Sequence, residues 1–293
     1  MSMPYPLTHP EKVLYSGQGI TKRELLDYYE LVAERMLPHI ARRPLTLVRC
    51  PNGVDRPCFY QKHPGRGMPA AVHAVMVVEK HGSAPYGVID SPEGLFGLVQ
   101  YGSLEIHAGG SRIEDYEHPN LLVIDLDPDV TAPYELVVEG AHDVRRWFER
   151  FGLRSFAKTT GGKGFHVCVP LRPERTWEEV LAFSRRAAEE IAAERPDRYV
   201  TQASKAVRRG KIFIDYLRNG RGATFVAPYS TRAKKNAPVS MPLHWDQVSP
   251  DIEPDTFQLR TVVKRLARVG LDPFAPLETL AQRLEDEWIP QGN

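Results

Sequence analysis

What this chain lacks narrows it first. No run of apolar residues approaches the ~18 needed to cross a bilayer, so no membrane partner is expected. Met1 to Pro10 lack the basic start and apolar core of a secretory signal. Cysteine is scarce: Cys50, Cys58 and Cys168 are odd in number and contain no CxxC pair. That argues against a zinc ribbon and fits a reducing compartment. No internal repeat and no low-complexity linker divides the sequence. An excess of one charge is also missing, since 38 Lys and Arg face 37 Asp and Glu, a net of +1 at pH 7. Overall charge therefore says nothing about nucleic acid. The 42% hydrophobic and 26% charged residues are ordinary for a globular protein, and 293 residues suffice for one large domain or two small ones.

The distribution of charge is more telling than its sum. Between Thr201 and Ser240 stand nine bases (Lys205, Arg208, Arg209, Lys211, Arg218, Arg221, Arg232, Lys234, Lys235) and one acid, Asp215. From Arg42 to Arg66 six bases face Asp55 alone. Segregation of this kind makes a local positive field on a neutral protein, or merely a solvated basic face.

Within that setting, the apolar run Leu121-Leu122-Val123-Ile124 delivers Asp125 and Asp127, and Pro128 follows. Residues i and i+2 of a strand share a face, so both carboxylates project together. Two like charges so close favour a cation between them, and Mg²⁺ or Mn²⁺ prefers such oxygen ligands. Lys211-Ile212-Phe213-Ile214-Asp215 repeats the pattern with a third acid. Three carboxylates from two strands suit a divalent-metal site for phosphoryl transfer. Alone, Asp125 to Asp129 is equally readable as a turn.

Lys158 to Val167 (Lys-Thr-Thr-Gly-Gly-Lys-Gly-Phe-His-Val) is the second signal. Its glycines allow close backbone approach and positive φ, and successive amides there can form an anion-binding nest. It is not a Walker A loop, because Ala157 and Gly164 stand where that motif needs Gly and Ser or Thr. Phe59-Tyr60-Gln61-Lys62-His63 interleaves aromatics with a cation, as single-strand sites do, although an aromatic pair in a strand is more often core. His107, in Leu104-Glu105-Ile106-His107, is either a ligand contact or a surface histidine.

Periodicity predicts helices over Lys22 to Leu37 (capped by Thr21 with Glu24), Tyr134 to Phe151, Thr176 to about Glu194, Thr256 to Val269 and Leu277 to Trp288. Strands are expected at Leu45–Val48, Phe59–Gln61, Val72–Glu79, Tyr86–Val88, Leu121–Ile124, Phe165–Pro170, Lys211–Asp215 and Thr224–Pro228. The mixture reads as α+β (mixed α/β). It is taken as a single domain over 1–293, with a seam near Ser111 to Pro119 dividing an N-terminal subregion, 1–115, from a catalytic subregion, 116–293.

Together these residues resemble the polymerase domain of bacterial ligase D, a branch of the archaeo-eukaryotic primase superfamily. The resemblance rests on His9 to Tyr15, Thr21-Lys22, Pro51 to Asp55, Phe59 to His63, Leu104 to His107, Asp125 to Pro128, Gly161 to His166, Arg208 to Asp215 and Ala227 to Arg232, in that order along nearly the whole chain. It implies a primase-like catalytic core of β-sheets flanked by helices. It also implies template-directed addition of nucleotides or ribonucleotides to a primer 3′-hydroxyl, at gaps and at double-strand-break ends, in non-homologous end joining.

Carried over by position, Asp125, Asp127 and Asp215 are the catalytic residues and hold two metal ions, Mn²⁺ in preference to Mg²⁺. His107, Thr160, Lys163, His166, Arg208, Arg218 and Arg232 contact the incoming NTP or dNTP. Lys12, Lys22 and Arg49 recognise the downstream 5′-phosphate, while Phe59 and Tyr60, with Lys62, meet the template. Expected partners are gapped or 3′-overhang DNA, the end-binding protein Ku and a DNA ligase, in the cytoplasm at the nucleoid. Two positions depart mildly: Tyr60 stands where a second Phe is common, and Thr160 where Ser is. With no room for ligase or phosphoesterase domains, a stand-alone polymerase or an excised domain is expected. Rival readings are a haloacid-dehalogenase-type phosphatase, which Pro128 disfavours, and a non-catalytic module that binds phosphorylated DNA ends.

Overall fold

The computed structural model describes residues 7–79, 82–252, 256–266 and 271–290. Among these, fourteen strands and five α-helices follow in chain order. The first are β1 Val13–Tyr15, β2 Ile20–Thr21, α1 Lys22–Ile40, β3 Leu45–Arg49, β4 Phe59–Gln61, β5 His73–Glu79 and β6 Gly82–Val88. Next come α2 Pro92–Gln100, β7 Ser103–Gly109, β8 Leu121–Pro128, α3 Tyr134–Glu149, β9 Phe156–Thr159, β10 Phe165–Pro170 and α4 Trp177–Glu194. The last are β11 Tyr199–Val200, β12 Ile212–Asp215, β13 Thr224–Val226, β14 Pro242–Leu243 and α5 Leu259–Leu266. No helix among the described residues is long and apolar enough to cross a membrane.

The chain divides into two compact units. The first comprises residues 1–114, 224–241 and 257–272, and the second 115–223, 242–256 and 273–293. The chain first passes from one unit to the other between Glu114 and Asp115. The expectation that 116–293 forms one catalytic subregion is corrected: the segment carrying Arg232 folds with the N-terminal residues, because β13 pairs with β7 through Val226 opposite His107.

In the first unit the sheet runs β13-β7-β3-β6-β5, with β4 also on β3. Helix α1 begins with the expected capping box: Thr21 Oγ1 accepts from the Glu24 amide at 3.2 Å, and Glu24 Oε2 accepts from the Thr21 amide at 3.0 Å. Its stripe Leu25, Tyr29, Val32 and Met36 is buried. Helix α2 was not expected. Gly94 to Val99 are all buried, so it shows no polar face to read, and two glycines lower its propensity. Register also pairs Arg49 with Phe59 and so brings together their neighbours, Cys50 and Cys58, as a disulfide with Cα atoms 4.4 Å apart. Cysteine count and spacing, which fitted a reducing compartment, did not point to this pair; Cys168 is free, and burial pushes its thiol up to about 12.

In the second unit the sheet order is β11-β12-β8-β10-β9-β14, antiparallel except for β11 with β12. Leu122, Ile124 and Leu126 of β8 share one face and are fully buried. Helix α3 packs there: a side chain on Gly140 would press on Leu126 and Tyr199, so glycine permits the approach. Alternation then turns Asp125 and Asp127 to the opposite face. The helix expected over Leu277 to Trp288 is absent, and only single 3₁₀ turns form at Ala275–Glu278 and Asp286–Trp288. Of the helix expected over Thr256 to Val269, Leu259–Leu266 is helical and Ala267 to Val269 lie outside the described residues.

Candidate active site

Strand register assembles the acids of the second unit. Asp215 on β12 lies directly opposite Asp125 on β8, which lies opposite His166 on β10, which lies opposite Lys158 on β9. One row across four strands thus carries two acids, an imidazole and an ammonium. Asp127 stands two residues from Asp125 on the same face. A tight turn feeds β10 into this row. Gly161 has φ +65°, Thr160 closes the turn by donating its amide and hydroxyl to the Gly164 carbonyl at 3.0 and 3.2 Å, and a Cβ on Gly164 would collide with the Leu126 carbonyl oxygen. Lys163 is exposed at the tip.

Every carboxylate in the row has a cationic neighbour. Arg218 Nε lies 3.3 Å from Asp125 Oδ2 and 3.2 Å from Asp215 Oδ2, so one guanidinium serves two acids. Its turn is fastened by buried Asn219, whose side chain accepts from the Val123 amide at 2.8 Å and donates to the Val123 carbonyl at 2.7 Å. Arg208 reaches Asp127 Oδ2 at 2.8 Å, with its guanidinium carbon 4.0 Å from the centre of the Phe213 ring. His166 Nε2 is 3.4 Å from Asp125 Oδ1.

These neighbours split the acids. Burial would raise the Asp125 carboxyl, but His166, Arg218 and Lys158 outweigh it and hold it at about 2. Asp215 goes the other way, raised by burial and by the charges of Asp125 and Asp127, with Arg218 opposing. Burial and Lys158 push His166 down to about 4, so it is neutral at pH 7. Ionised and protonation-prone carboxylates facing each other are what a shared cation relieves. The donor set, three carboxylates on one face, suits a hard divalent ion. Among the described residues, however, no three His, Cys, Asp or Glu side chains are gathered tightly enough to hold one ion; the Arg218 guanidinium lies between two of the acids instead.

The first unit carries the remaining expected residues. His107 and Arg232 meet at Glu105, a residue to which sequence reading gave no role. The 2.0-residue period of β7 puts Glu105 and His107 on one face, and that was the available signal. Lys158 was missed likewise; a lysine within Phe156-Ala157-Lys158-Thr159 announces a buried charge only once β9 is recognised as a strand. Phe59 and Tyr60 are exposed, 46% and 75%, which removes the core reading of that pair. Arg49 lies against both Phe59 and Tyr101, with its guanidinium carbon 5.2 and 3.4 Å from the ring centres, and donates to Gln61 Oε1. Lys62 is engaged by Glu79 at 2.9 Å. Lys12 donates to Asn52 Oδ1 at 2.8 Å. Lys22 is buried, and its ammonium has acceptors for all three donors: Thr8 O, Gln100 O and Gln100 Oε1 at 3.0, 3.2 and 2.8 Å.

Comparison with known proteins gives the family. The family described as LigD, primase-polymerase domain, matches residues 21–274. The multifunctional non-homologous end joining protein LigD of Pseudomonas aeruginosa is 35% identical over 280 residues, covering 95% of this chain and 33% of that protein. The bifunctional protein of the same kind from Bacillus subtilis is 30% identical, covering 91% and 43%. The chain thus spans between a third and a half of the length of these relatives. Among solved structures, the polymerase domain of Mycobacterium tuberculosis ligase D in complex with DNA superposes with a TM-score of 0.87 at 32% identity, covering 96% of this chain and all of that one. The chain belongs to the ligase D primase-polymerase family.

Proposed function

We propose that the protein is a template-directed nucleotidyltransferase. It would extend a primer 3′-hydroxyl with ribo- or deoxyribonucleotides at gaps and broken DNA ends during non-homologous end joining, with Ku and a DNA ligase as partners. The observation that carries this reading is the register of β12 on β8, which sets Asp215 opposite Asp125 with Asp127 on the same face. Asp125, Asp127 and Asp215 would hold two divalent ions, Mn²⁺ or Mg²⁺. When bound, such ions supply Lewis acidity, lowering the pKa of the hydroxyl and offsetting charge on the triphosphate. The reaction is in-line attack of the 3′-oxygen on the α-phosphorus with loss of pyrophosphate, so the protein's own task is positioning and charge.

The residues divide that task. Arg208 and Arg218, which neutralise the acids in the free protein, are assigned to the incoming nucleotide together with Thr160, Lys163 and His166. His107 and Arg232 are the phosphate-binding pair of the first unit. Phe59 and Tyr60, exposed and aromatic, are assigned to the template, where stacking is insensitive to base identity. Lys12 and Arg49 are assigned to the 5′-phosphate. Lys22 supports them from within, given its three internal acceptors.

The test is primer extension on a one-nucleotide gap bearing a 5′-phosphate, with Mn²⁺ or Mg²⁺ and with each sugar type. Templated addition of one nucleotide, dependent on the ion, is expected. Binding of the gap without addition under every combination would overturn the reading in favour of an end-binding module.

A further inference from the structure

Glu105 sits in the first unit on β7, and an imidazole, a guanidinium and a backbone amide converge on its carboxylate. His107 Nε2 lies 2.8 Å from Oε2, Arg232 Nε lies 3.0 Å from the same oxygen, and the Ala233 amide donates to Oε1 at 2.8 Å. The carboxylate is the most enclosed of the three side chains, 6% exposed against 13% for His107 and 18% for Arg232. The acid thus lies behind and the two bases in front. Burial alone would raise the Glu105 carboxyl, but His107, Arg232 and the Ala233 amide reverse this and hold it at about 2.

The backbone around it is fixed from several sides. The Ile106 amide donates to Ser230 Oγ at 2.9 Å, Thr231 Oγ1 donates to the Leu104 carbonyl at 2.6 Å, and the Arg232 amide donates to the Pro238 carbonyl at 2.8 Å. One carboxylate oxygen on a fixed strand is thus shared by a guanidinium from one segment and an imidazole from another, while the Ala233 amide holds the other oxygen.

We propose that Glu105 is a positioning residue for the triphosphate of the incoming nucleotide. It holds His107 and Arg232 at a fixed spacing with their outer surfaces toward the ligand. This rests on the proposed polymerase reading, which assigns His107 and Arg232 to that nucleotide. Without the carboxylate the two bases lose their common partner, and Arg232 regains rotamer freedom that must be lost again on binding. The charge-neutral variant Glu105→Gln keeps the shape and removes the pairing.

The experiment uses the full chain and two readouts, steady-state extension of a gapped primer and direct titration with a fluorescent nucleoside triphosphate in Mn²⁺. Glu105→Gln is expected to raise KM for nucleotide, and the directly measured Kd, about tenfold, with kcat changed less than about twofold. Affinity for gapped DNA without nucleotide should not move, which a merely structural lesion would not spare. In the double variant Glu105→Gln/Arg232→Ala the loss should fall well short of the product of the two single losses, because the carboxylate acts in part through the arginine. Glu105→Asp retains charge one methylene short, and about a threefold loss is expected; it serves also if the Gln variant does not fold.

Unchanged nucleotide affinity in the folded variants, or losses that multiply in the double variant, would overturn the role of Glu105 while leaving the polymerase reading intact. Wild-type protein that binds triphosphate more tightly than Glu105→Gln yet never extends a primer would overturn the polymerase reading instead. A wild type with no affinity for triphosphate overturns both.

Discussion

The two units use the same three kinds of side chain in opposite proportion. Around β8 two carboxylates, Asp125 and Asp215, share one guanidinium, Arg218. Around β7 two bases, His107 and Arg232, share one carboxylate, Glu105. Asp125 and Glu105 are each held at about 2 by a histidine and an arginine. What differs is the balance, two acids to one guanidinium in one cluster and an imidazole and a guanidinium to one acid in the other. On the proposed reading the first takes a cation and the second the triphosphate, although an inventory of residue types would describe them alike.

Breaking the acid-rich cluster has the largest expected effect. Asp125→Ala or Asp127→Ala should lower nucleotide addition by on the order of 10³-fold or more, with binding of gapped DNA retained in a mobility-shift titration. Extension by the double alanine variant at the wild-type rate would remove the basis of the comparison.

Acid should act on the base-rich cluster next. The Glu105 carboxyl lies at about 2 in the folded chain against an ordinary 4.5. Between these values the unfolded chain binds the extra proton, so the stabilisation is complete above pH 4.5 and is lost as pH falls toward 2. Chemical denaturation at several pH values should show wild type losing up to about 3 kcal/mol more than Glu105→Gln over that window. Parallel pH curves would contradict it.

The third effect is smaller and of opposite sign. Arg218→Met removes the cation that already sits between Asp125 and Asp215, so Mn²⁺ should bind about tenfold more tightly, roughly 1.4 kcal/mol, in a calorimetric titration without nucleotide. Extension should nevertheless fall, since the same residue is assigned to the nucleotide. Weaker ion binding would show that the guanidinium supports the acids rather than competing for them.

The smallest effect extends the comparison to bases whose partners, among the described residues, are amides, carbonyls and rings, Lys12 on Asn52 among them. Lys12→Ala should reduce the preference for a 5′-phosphorylated gap about fivefold at fixed salt. An undiminished preference would count against Lys12 as a phosphate contact.

The acid doublet was legible because its geometry is local: alternation along one strand suffices to co-project Asp125 and Asp127. The third acid was legible as a repeat of that pattern, but its position opposite Asp125 belongs to the pairing of β12 with β8, separated by some ninety residues. Glu105 with Arg232 joins segments far apart in sequence, and Lys158 with His166 faces across the β9–β10 hairpin; neither pair is visible until the pairing of backbone segments is known. The Cys50–Cys58 bond escaped for that reason as well, since it follows from the β3–β4 register and matches no metal-type spacing. Leu277 to Trp288 shows the converse error. Its apolar spacing fitted a helix, but Pro276 opens one short turn, Asp286–Trp288 makes another, and tertiary contacts such as Gln282 with Arg154 and Pro170 hold the irregular stretch between.

That cystine bond also bears on how the molecule tolerates damage. It closes residues 51–57 into a covalent ring at a mostly exposed segment, the sort of place where peptide hydrolysis begins. A cut anywhere inside the ring leaves the flanking pieces tethered through sulfur, so Arg49 and Phe59 stay neighbours across the break. Such a nicked chain migrates as one band until a thiol is added, and only then as two.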